Sequence, residues 1–440
     1  MADQTAKSSG LLGWYFGTNL LVRIGGAMVI GAIVGIALAY MPTIAAPFVS
    51  YTKFFGDVFI RLLQMIVVPV IFFSLITGAA GLDPGRLGRV GLRTLAFYLI
   101  LVLVALTIGL TMANIFKPGE GLNLVANAAV QGKTAAAPSL STIFLDIIPT
   151  NPIDALAKGK VLPVIFFALV FGIALSVVRD SDDEKLSRPA DTLYHVCAAC
   201  AETMYKVVGG IMQYAPIGVF VLISNVFATQ GPKVVGPLVF VLAIAFLAFT
   251  LHVFIGFGGI LVLHGLSFAK FVKGAQEAMI TAFVTRSSNA TLPISMRISE
   301  ENLGVPRSIS SFTLPIGATI NMDGTVIYLS ICSMFIGFAT GAPLTFDQQL
   351  MVMITASLGA IGAAGVPGAG VIMLMMVLES IGMKVEAGSA IAVAYAMMIG
   401  IDSIMDMGRT CLNVTGDIVA ATIVSKYEKE LDMTKWGKTA

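Results

Sequence analysis

Charge is what this 440-residue chain has least of: only 12% of its residues are Asp, Glu, Lys or Arg. A soluble domain carries about 25%, so roughly half the charge needed to cover a water-facing surface is missing. That shortage excludes a soluble enzyme, a nucleic-acid binder and a disordered chain. Histidine is scarce too, with three residues, His195, His252 and His264, and no metal-ligand cluster can be assembled from them. The four cysteines, Cys197, Cys200, Cys332 and Cys411, lie in or near apolar runs. The spacing of Cys197 and Cys200 matches a redox pair, yet no βαβ pattern surrounds it, and it reads as buried and inert. A net charge of +2 carries no signal for an acidic partner.

What the chain has in abundance is apolar: 57% of its residues, with a mean hydropathy of +0.90. Uncharged runs at 24–41, 62–82, 94–116, 162–178, 207–229 and 234–263 match the roughly 20 residues a helix needs to cross a bilayer. The period-2 alternation of a membrane barrel is missing, so these runs predict helices. No cleavable signal is expected, because the first run begins at Ile24 without a small-residue cleavage site after it. Eight crossings place most of the 27 Lys and Arg on one side, among them Lys7, Arg23, Arg86, Arg89, Arg93, Arg179, Lys185 and Arg188. The positive-inside bias then puts both termini in the cytoplasm. Between residues 117 and 161 a small-residue stretch at 127–138 reads as a mobile segment outside the membrane.

From residue 265 onward the clean spans stop. The apolar stretch 278–296 is interrupted by Thr285-Arg-Ser-Ser-Asn-Ala-Thr-Leu-Pro293, and 350–378 by Gly362-Ala-Ala-Gly-Val-Pro-Gly-Ala-Gly370. Each predicts two half-helices meeting at an irregular tip, a re-entrant hairpin, tolerated only where protein or a watery cavity satisfies its backbone. Each is followed by a span with polar residues at its middle. Paired interruptions at matching positions point to a transporter site built from an inverted repeat. The expected fold class is an all-α polytopic membrane protein of eight transmembrane helices and two re-entrant helical hairpins.

In the last span Asp402, Asp406, Arg409, Asn413 and Asp417 are spaced 4, 3, 4 and 4. At ~100° per residue they form one polar stripe. With Arg286 and Asp323 they make six charges, each costing ~2.5–3.5 kcal/mol against lipid, on the order of 15–20 kcal/mol together. They must line a common cavity. Four Asp and two Arg leave it formally negative, so an anionic cargo needs cations beside it. Arg409 suits a carboxylate as a planar two-pronged donor, and Asp406 suits an ammonium. The residues thus predict an ion-coupled symporter for acidic amino acids.

Asn321-Met-Asp-Gly-Thr325, Arg286-Ser-Ser-Asn-Ala-Thr-Leu-Pro293, Gly365-Val-Pro-Gly-Ala-Gly370 and Asp406-Met-Gly-Arg-Thr-Cys-Leu-Asn-Val-Thr-Gly-Asp417 carry a resemblance. The sequence resembles the glutamate transporter homologues, the dicarboxylate/amino acid:cation symporter family, in its archaeal and bacterial aspartate/glutamate branch. The resemblance implies a homotrimer in a prokaryotic plasma membrane, in contact with lipid, with alternating access by an elevator motion. It implies a scaffold at 16–90 and 119–230, a transport domain at 91–118 and 231–426, and a cytoplasmic tail at 427–440. Carried over by position, Arg409 takes the substrate side-chain carboxylate with Thr325 and the Gly370 backbone. Asp406 takes the amino group, and Asn413, Ser287 and Ser288 take the α-carboxylate. Val366 belongs to the gate, Thr410 lines the site, Asp402 orients Arg409, and Arg286 lies near Asp406.

The same resemblance implies sodium as the coupling ion, with a proton as the alternative. One site uses backbone oxygens of Gly317, Asn321 and Asn413 with the Asp417 carboxylate. A second lies near Thr319, Ala360, Ile361 and Ala363, where Ala360 and Ala363 replace hydroxyl residues. The third departs from the pattern: sodium-dependent relatives follow a tyrosine with hydroxyl side chains three and four residues on, whereas this chain reads Tyr98-Leu-Ile-Leu101-Val102. That leaves Tyr98, Asn321 and Asp323, and predicts weaker sodium dependence or fewer ions per cycle. Leu329 offers no acidic substitute. The rival readings are a C4-dicarboxylate symporter, disfavoured by Asp406, and a channel, whose filter needs a ring of carbonyls or like charges. An intramembrane enzyme is disfavoured because the histidines lie in the wrong half of the chain to serve Ser287 or Ser288.

Overall fold

The computed structural model describes residues 18, 20–81, 90–122, 124, 145, 147–360, 368–386 and 388–437. Among them every regular element is helical. Helices α1 (Leu20–Ala39), α2 (Pro42–Ala80) and α3 (Leu92–Phe116) come first, then the short α4 (Pro152–Ala157), α5 (Val161–Arg179) and the long α6 (Glu184–Gln230). A 3₁₀ turn at Gly231–Val234 leads into α7 (Val235–Leu251), a π-helical turn at His252–Gly258 and α8 (Gly259–Leu263). Then follow α9 (Phe268–Thr285), α10 (Ser288–Glu301), α11 (Arg307–Ile320), α12 (Asp323–Ala339), α13 (Phe346–Ala360), α14 (Ala369–Ser380) and α15 (Ala390–Tyr427). The small-residue stretch 127–138 and the gate residues Ile361, Ala363 and Val366 lie outside the described residues.

Six helical stretches are long and apolar enough to cross a membrane: Val22–Ala39, Pro42–Ala80, Leu92–Phe116, Glu184–Leu263, Arg307–Ala339 and Ala390–Tyr427. The fourth spans 80 residues, or about 120 Å at 1.5 Å per residue. Its Gly231, at φ +71°, ends α6 in a conformation that costs an L side chain energy, so the stretch has a natural break there. Large apolar side chains such as Val29, Ile33, Tyr51, Phe254 and Leu263 stand exposed. Such a surface needs lipid or another subunit against it. This is a multi-pass membrane protein.

The helices sort by what they touch. On one side α1, α2 and α5 pack against α6 or each other; on the other α3 packs on α12, and α9, α11 and α12 pack on α15. The two groups meet where α14 lies on α2 and α15 touches α1 and α6. Every residue from Asp323 to Gly337 is buried, so α12 is enclosed all round. A small cavity of about 30 Å³ opens between the groups, lined by Ile71, Ser74, Leu75, Tyr205, Ile372 and Met376. Its lining is mostly hydrocarbon and carries no charged side chain, which makes it a poor place for a charged cargo.

The helices expected to form the two hairpins pack in pairs, α9 on α10 and α13 on α14, while residues 361–367 between the second pair lie outside the described residues. The first tip is tighter than the sequence suggested. Only Arg286 and Ser287 interrupt it; Asn289 to Pro293 are helical, because Ser287 caps α10 through its Oγ, which accepts from the Ala290 N–H at 3.2 Å. The span that follows is not continuous. It breaks at Asn321 and Met322, between α11 and α12, which opens backbone groups in the buried middle of the protein. The residues after Tyr427 fold back on the first hairpin: the Asp432 N–H donates to the Gly304 carbonyl at 2.9 Å, and Trp436 is buried near Phe271.

Candidate functional site

Asp402, Asp406, Arg409, Asn413 and Asp417 line one face of α15, each only 3–4% exposed. Arg409 is held by its own helix. Its Nη1 donates to Asp402 Oδ1 at 3.0 Å, while Nε and Nη2 donate to Asp406 Oδ1 at 3.0 and 2.7 Å. The guanidinium lies 4.7 Å from the centre of the Tyr328 ring, an attractive placement for a cation. A guanidinium carries five N–H donors. Three serve the two aspartates, which leaves one on Nη1 and one on Nη2, a fork fitted to a single carboxylate. Asp406 Oδ1 also accepts from Thr410 Oγ1 at 3.2 Å, but Asp406 Oδ2 is buried without a partner. That oxygen is an acceptor awaiting a donor. Thr410 therefore supports Asp406.

Gly370, at the start of α14, touches the guanidinium: a Cβ there would stand 1.8 Å from Arg409 Nη1. Gly370→Ala must push Arg409 off its place, and overpacking of this kind costs about 1–3 kcal/mol. We expect KM for acidic substrate to rise about 10- to 100-fold, measured by initial uptake rates at saturating cation. An unchanged KM would show that Gly370 is not part of the site.

The break at Asn321–Met322 positions the next group. Gly324 N–H donates to Asn413 Oδ1 at 2.8 Å, and Asn413 Nδ2 donates to Thr325 Oγ1 at 3.2 Å and to Met322 Sδ at 3.1 Å. Asn413 and Thr325, expected to face the substrate separately, are thus bonded to each other. Ser288 is buried, and the first turn of α10 presents N–H groups of the kind that attract a carboxylate. Arg286, in the left-handed region at φ 54°, lies within electrostatic reach of Asp406.

A second polar cluster sits one turn along α15. Asp417 Oδ1 accepts from Asn321 Nδ2 at 3.1 Å. A Cβ on Gly317 would lie 2.4 Å from both that oxygen and the Tyr98 hydroxyl. Tyr98 donates to the Thr313 carbonyl at 2.8 Å, which leaves its oxygen able to act only as an acceptor. Asp323 is wholly buried, and neither of its oxygens, nor Asn321 Oδ1, has a hydrogen-bond partner. Oxygens buried without donors are what a hard cation needs. Thr319 is half-buried with its hydroxyl on the Ile316 carbonyl, and Ala360 ends α13 in a buried position. Leu101 and Val102 are buried on α3, which packs along α12, and they bring no oxygen to this cluster.

One member escaped the sequence. His252 Nε2 lies 3.4 Å from Asp323 Oδ2, and both side chains are completely buried. An ionisable side chain inside an apolar span is a functional residue by default, and that rule, applied to the six charges, singles out His252 as well. Distance along the chain from the hairpins hid it, but packing of α7 on α12 and α15 removes that distance. Gly416 was likewise unmarked: a Cβ there would stand 2.5 Å from Asp323 Oδ2 and 2.6 Å from Asn321 Nδ2.

Helices of membrane length enclosing an arginine with two unused N–H donors beside a cluster of buried oxygens suit a membrane carrier for a small solute. The chain belongs to the sodium:dicarboxylate symporter family, whose model matches residues 20–427. It is 36% identical over 392 residues to the proton/glutamate-aspartate symporter of Escherichia coli strain K12, covering 86% of each chain. It is 32% identical to the proton/sodium-glutamate symport protein of Geobacillus stearothermophilus, over 93% of this chain and 94% of that one. It is also 32% identical to the C4-dicarboxylate transport protein of Agrobacterium fabrum, over 98% and 93% respectively.

Proposed function

We propose that the protein is a secondary active, cation-coupled symporter for the acidic amino acids aspartate and glutamate. The observation that carries this reading is the pair of unused N–H donors on Arg409 beside the unpartnered Asp406 Oδ2. A carboxylate fills the fork and an ammonium satisfies the oxygen. An acidic amino acid brings both, with its second carboxylate for the Ser287–Ser288 turn. A C4-dicarboxylate leaves Asp406 Oδ2 buried and unmet, at a cost of about 1–3 kcal/mol or more.

The formal −2 of the six charges makes cations part of the bound state. Sodium is the coupling ion in this reading, with a site at Gly317, Asn321, Asn413 and Asp417, and the number per cycle is reduced. The packing groups support a scaffold of α1, α2 and α4 to α6 and a transport domain of α3 and α7 to α15, moving as an elevator in a homotrimer. The protein resides in a prokaryotic plasma membrane with both termini cytoplasmic.

The test is uptake of labelled aspartate into proteoliposomes, with sodium and proton gradients imposed separately. The reading predicts accumulation driven by sodium, blocked by excess unlabelled glutamate and little affected by succinate. No accumulation under either gradient would overturn it; accumulation of succinate at an equal rate would favour the dicarboxylate reading.

A further inference from the structure

We propose that residues 428–437 form a strap that clamps the base of the first hairpin, with Trp436 as the positioning residue that holds the Ser287–Ser288 turn in place. This deepens the symport reading and rests on it, because that reading gives the turn its carboxylate. A tight turn aims the tryptophan inward. Asp432 Oδ1 accepts from the Thr434 N–H at 2.9 Å and from Thr434 Oγ1 at 2.6 Å, and the Lys435 N–H donates to the Asp432 carbonyl at 3.2 Å. An Asp side chain bonded to the backbone two residues on fixes a short segment without helix or strand. Trp436, only 7% exposed, then lies against the wholly buried Phe271, with ring centroids 6.4 Å apart.

Hydrogen bonds fasten the strap on either side of that ring. The Asp432 N–H donates to the Gly304 carbonyl at 2.9 Å, the Gly437 N–H to the Asn302 carbonyl at 3.0 Å, and Lys435 Nζ to the Glu300 carbonyl at 3.2 Å. Gly304, at φ +73°, has no room for a side chain, because a Cβ there would overlap the Asp432 carbonyl oxygen. Where the strap begins, Glu428 pairs with Arg93, just inside α3.

These contacts fall on both arms of the hairpin. Phe271 lies in the first turn of α9, Glu300 lies in the last turn of α10, and Asn302 and Gly304 follow directly. The arms meet at the same place, where Asn302 Nδ2 donates to the Gly274 carbonyl at 3.2 Å. The strap therefore closes over the junction of the two arms. α10 has 14 residues, so about 21 Å of helix connects the clamped base to the turn at its other end. A fixed base gives the tip one position. A loosened base lets the arms splay, and binding must then order them, which lowers affinity.

The test compares the full-length protein with Trp436→Ala and Trp436→Phe, by amide hydrogen exchange without cargo and by aspartate uptake into proteoliposomes at saturating sodium. Trp436→Ala should speed exchange across residues 268–301 by about tenfold and leave that of α12 unchanged. Its KM for aspartate should rise about three- to tenfold, with the maximal rate kept within about twofold. Trp436→Phe keeps a ring against Phe271 and should bring both values back near those of wild type. Unchanged exchange across 268–301 in the Ala variant, an unchanged KM, or a fall in the maximal rate alone would overturn the proposal. Exchange needs no transport, so it judges the strap even where absent aspartate uptake has sunk the symport reading. If the Ala variant does not fold, Trp436→Leu decides by the same two measurements, and wild-type exchange and KM there overturn the positioning role.

Discussion

Arg409→Cys is expected to lower aspartate and glutamate uptake by at least about 100-fold. The same change should let neutral amino acids such as serine be carried at a measurable rate. Arg409 supplies the only fork described at this site, and its two free N–H groups are the proposed anchor for the side-chain carboxylate. Hydrogen bonds to charged groups contribute about 1.5–3 kcal/mol each, and 1.4 kcal/mol is a factor of ten. Two such bonds are therefore worth the stated loss. The cysteine also leaves Asp402 and Asp406 facing each other in a buried place without their shared cation. Removing one partner of a buried ion pair costs about 3–5 kcal/mol, so the variant should also melt earlier, and a fluorescence melt checks this. Competition assays against labelled serine separate a changed specificity from a dead protein. Retained high affinity for aspartate would remove Arg409 from the binding role.

Asp417→Asn should shift the sodium concentration for half-maximal uptake upward by roughly 10- to 100-fold, because the charge of the ligand set tunes cation affinity over that range. The substitution keeps size and shape, so packing around Gly317 and Tyr98 is preserved. What it removes is the negative charge that Asn321 Nδ2 now points at. Asn321 can keep its bond to the new amide oxygen, which separates the electrostatic effect from a structural one. Uptake measured across a sodium series at fixed aspartate checks it. An unchanged sodium curve would show that the cation enters elsewhere, and the cluster of Asn321 and Asp323 would then be its place.

Much of this site was readable along the chain. The spacing of Asp402, Asp406, Arg409, Asn413 and Asp417 alone put them on one face, and all five are buried together. The first hairpin was legible as an apolar run too short to cross the membrane once its polar centre is counted. The extent of the first tip was not, because Ser287 caps α10 and draws Asn289 to Pro293 into the helix. The break at Asn321–Met322 was hidden inside what reads as one span. Its cause lies outside it: Asn413 on α15 takes the Gly324 N–H that a continuous helix would direct elsewhere.

The residues alone specify a helical membrane protein and the places of its buried charges, and they raise the expectation that anions and cations bind together. These follow from local periodicity and from the cost of charge in lipid, which depend on nothing far along the chain. Tertiary structure decided which atom meets which. It set His252 against Asp323, bonded Asn413 to Thr325, left Asp406 Oδ2 open, and required glycine at 324, 370 and 416, where another segment's polar atoms approach within 2.5 Å of a Cβ. Hydrogen bonds act over about 3 Å, and only the packing of helices distant in sequence brings those groups within that reach.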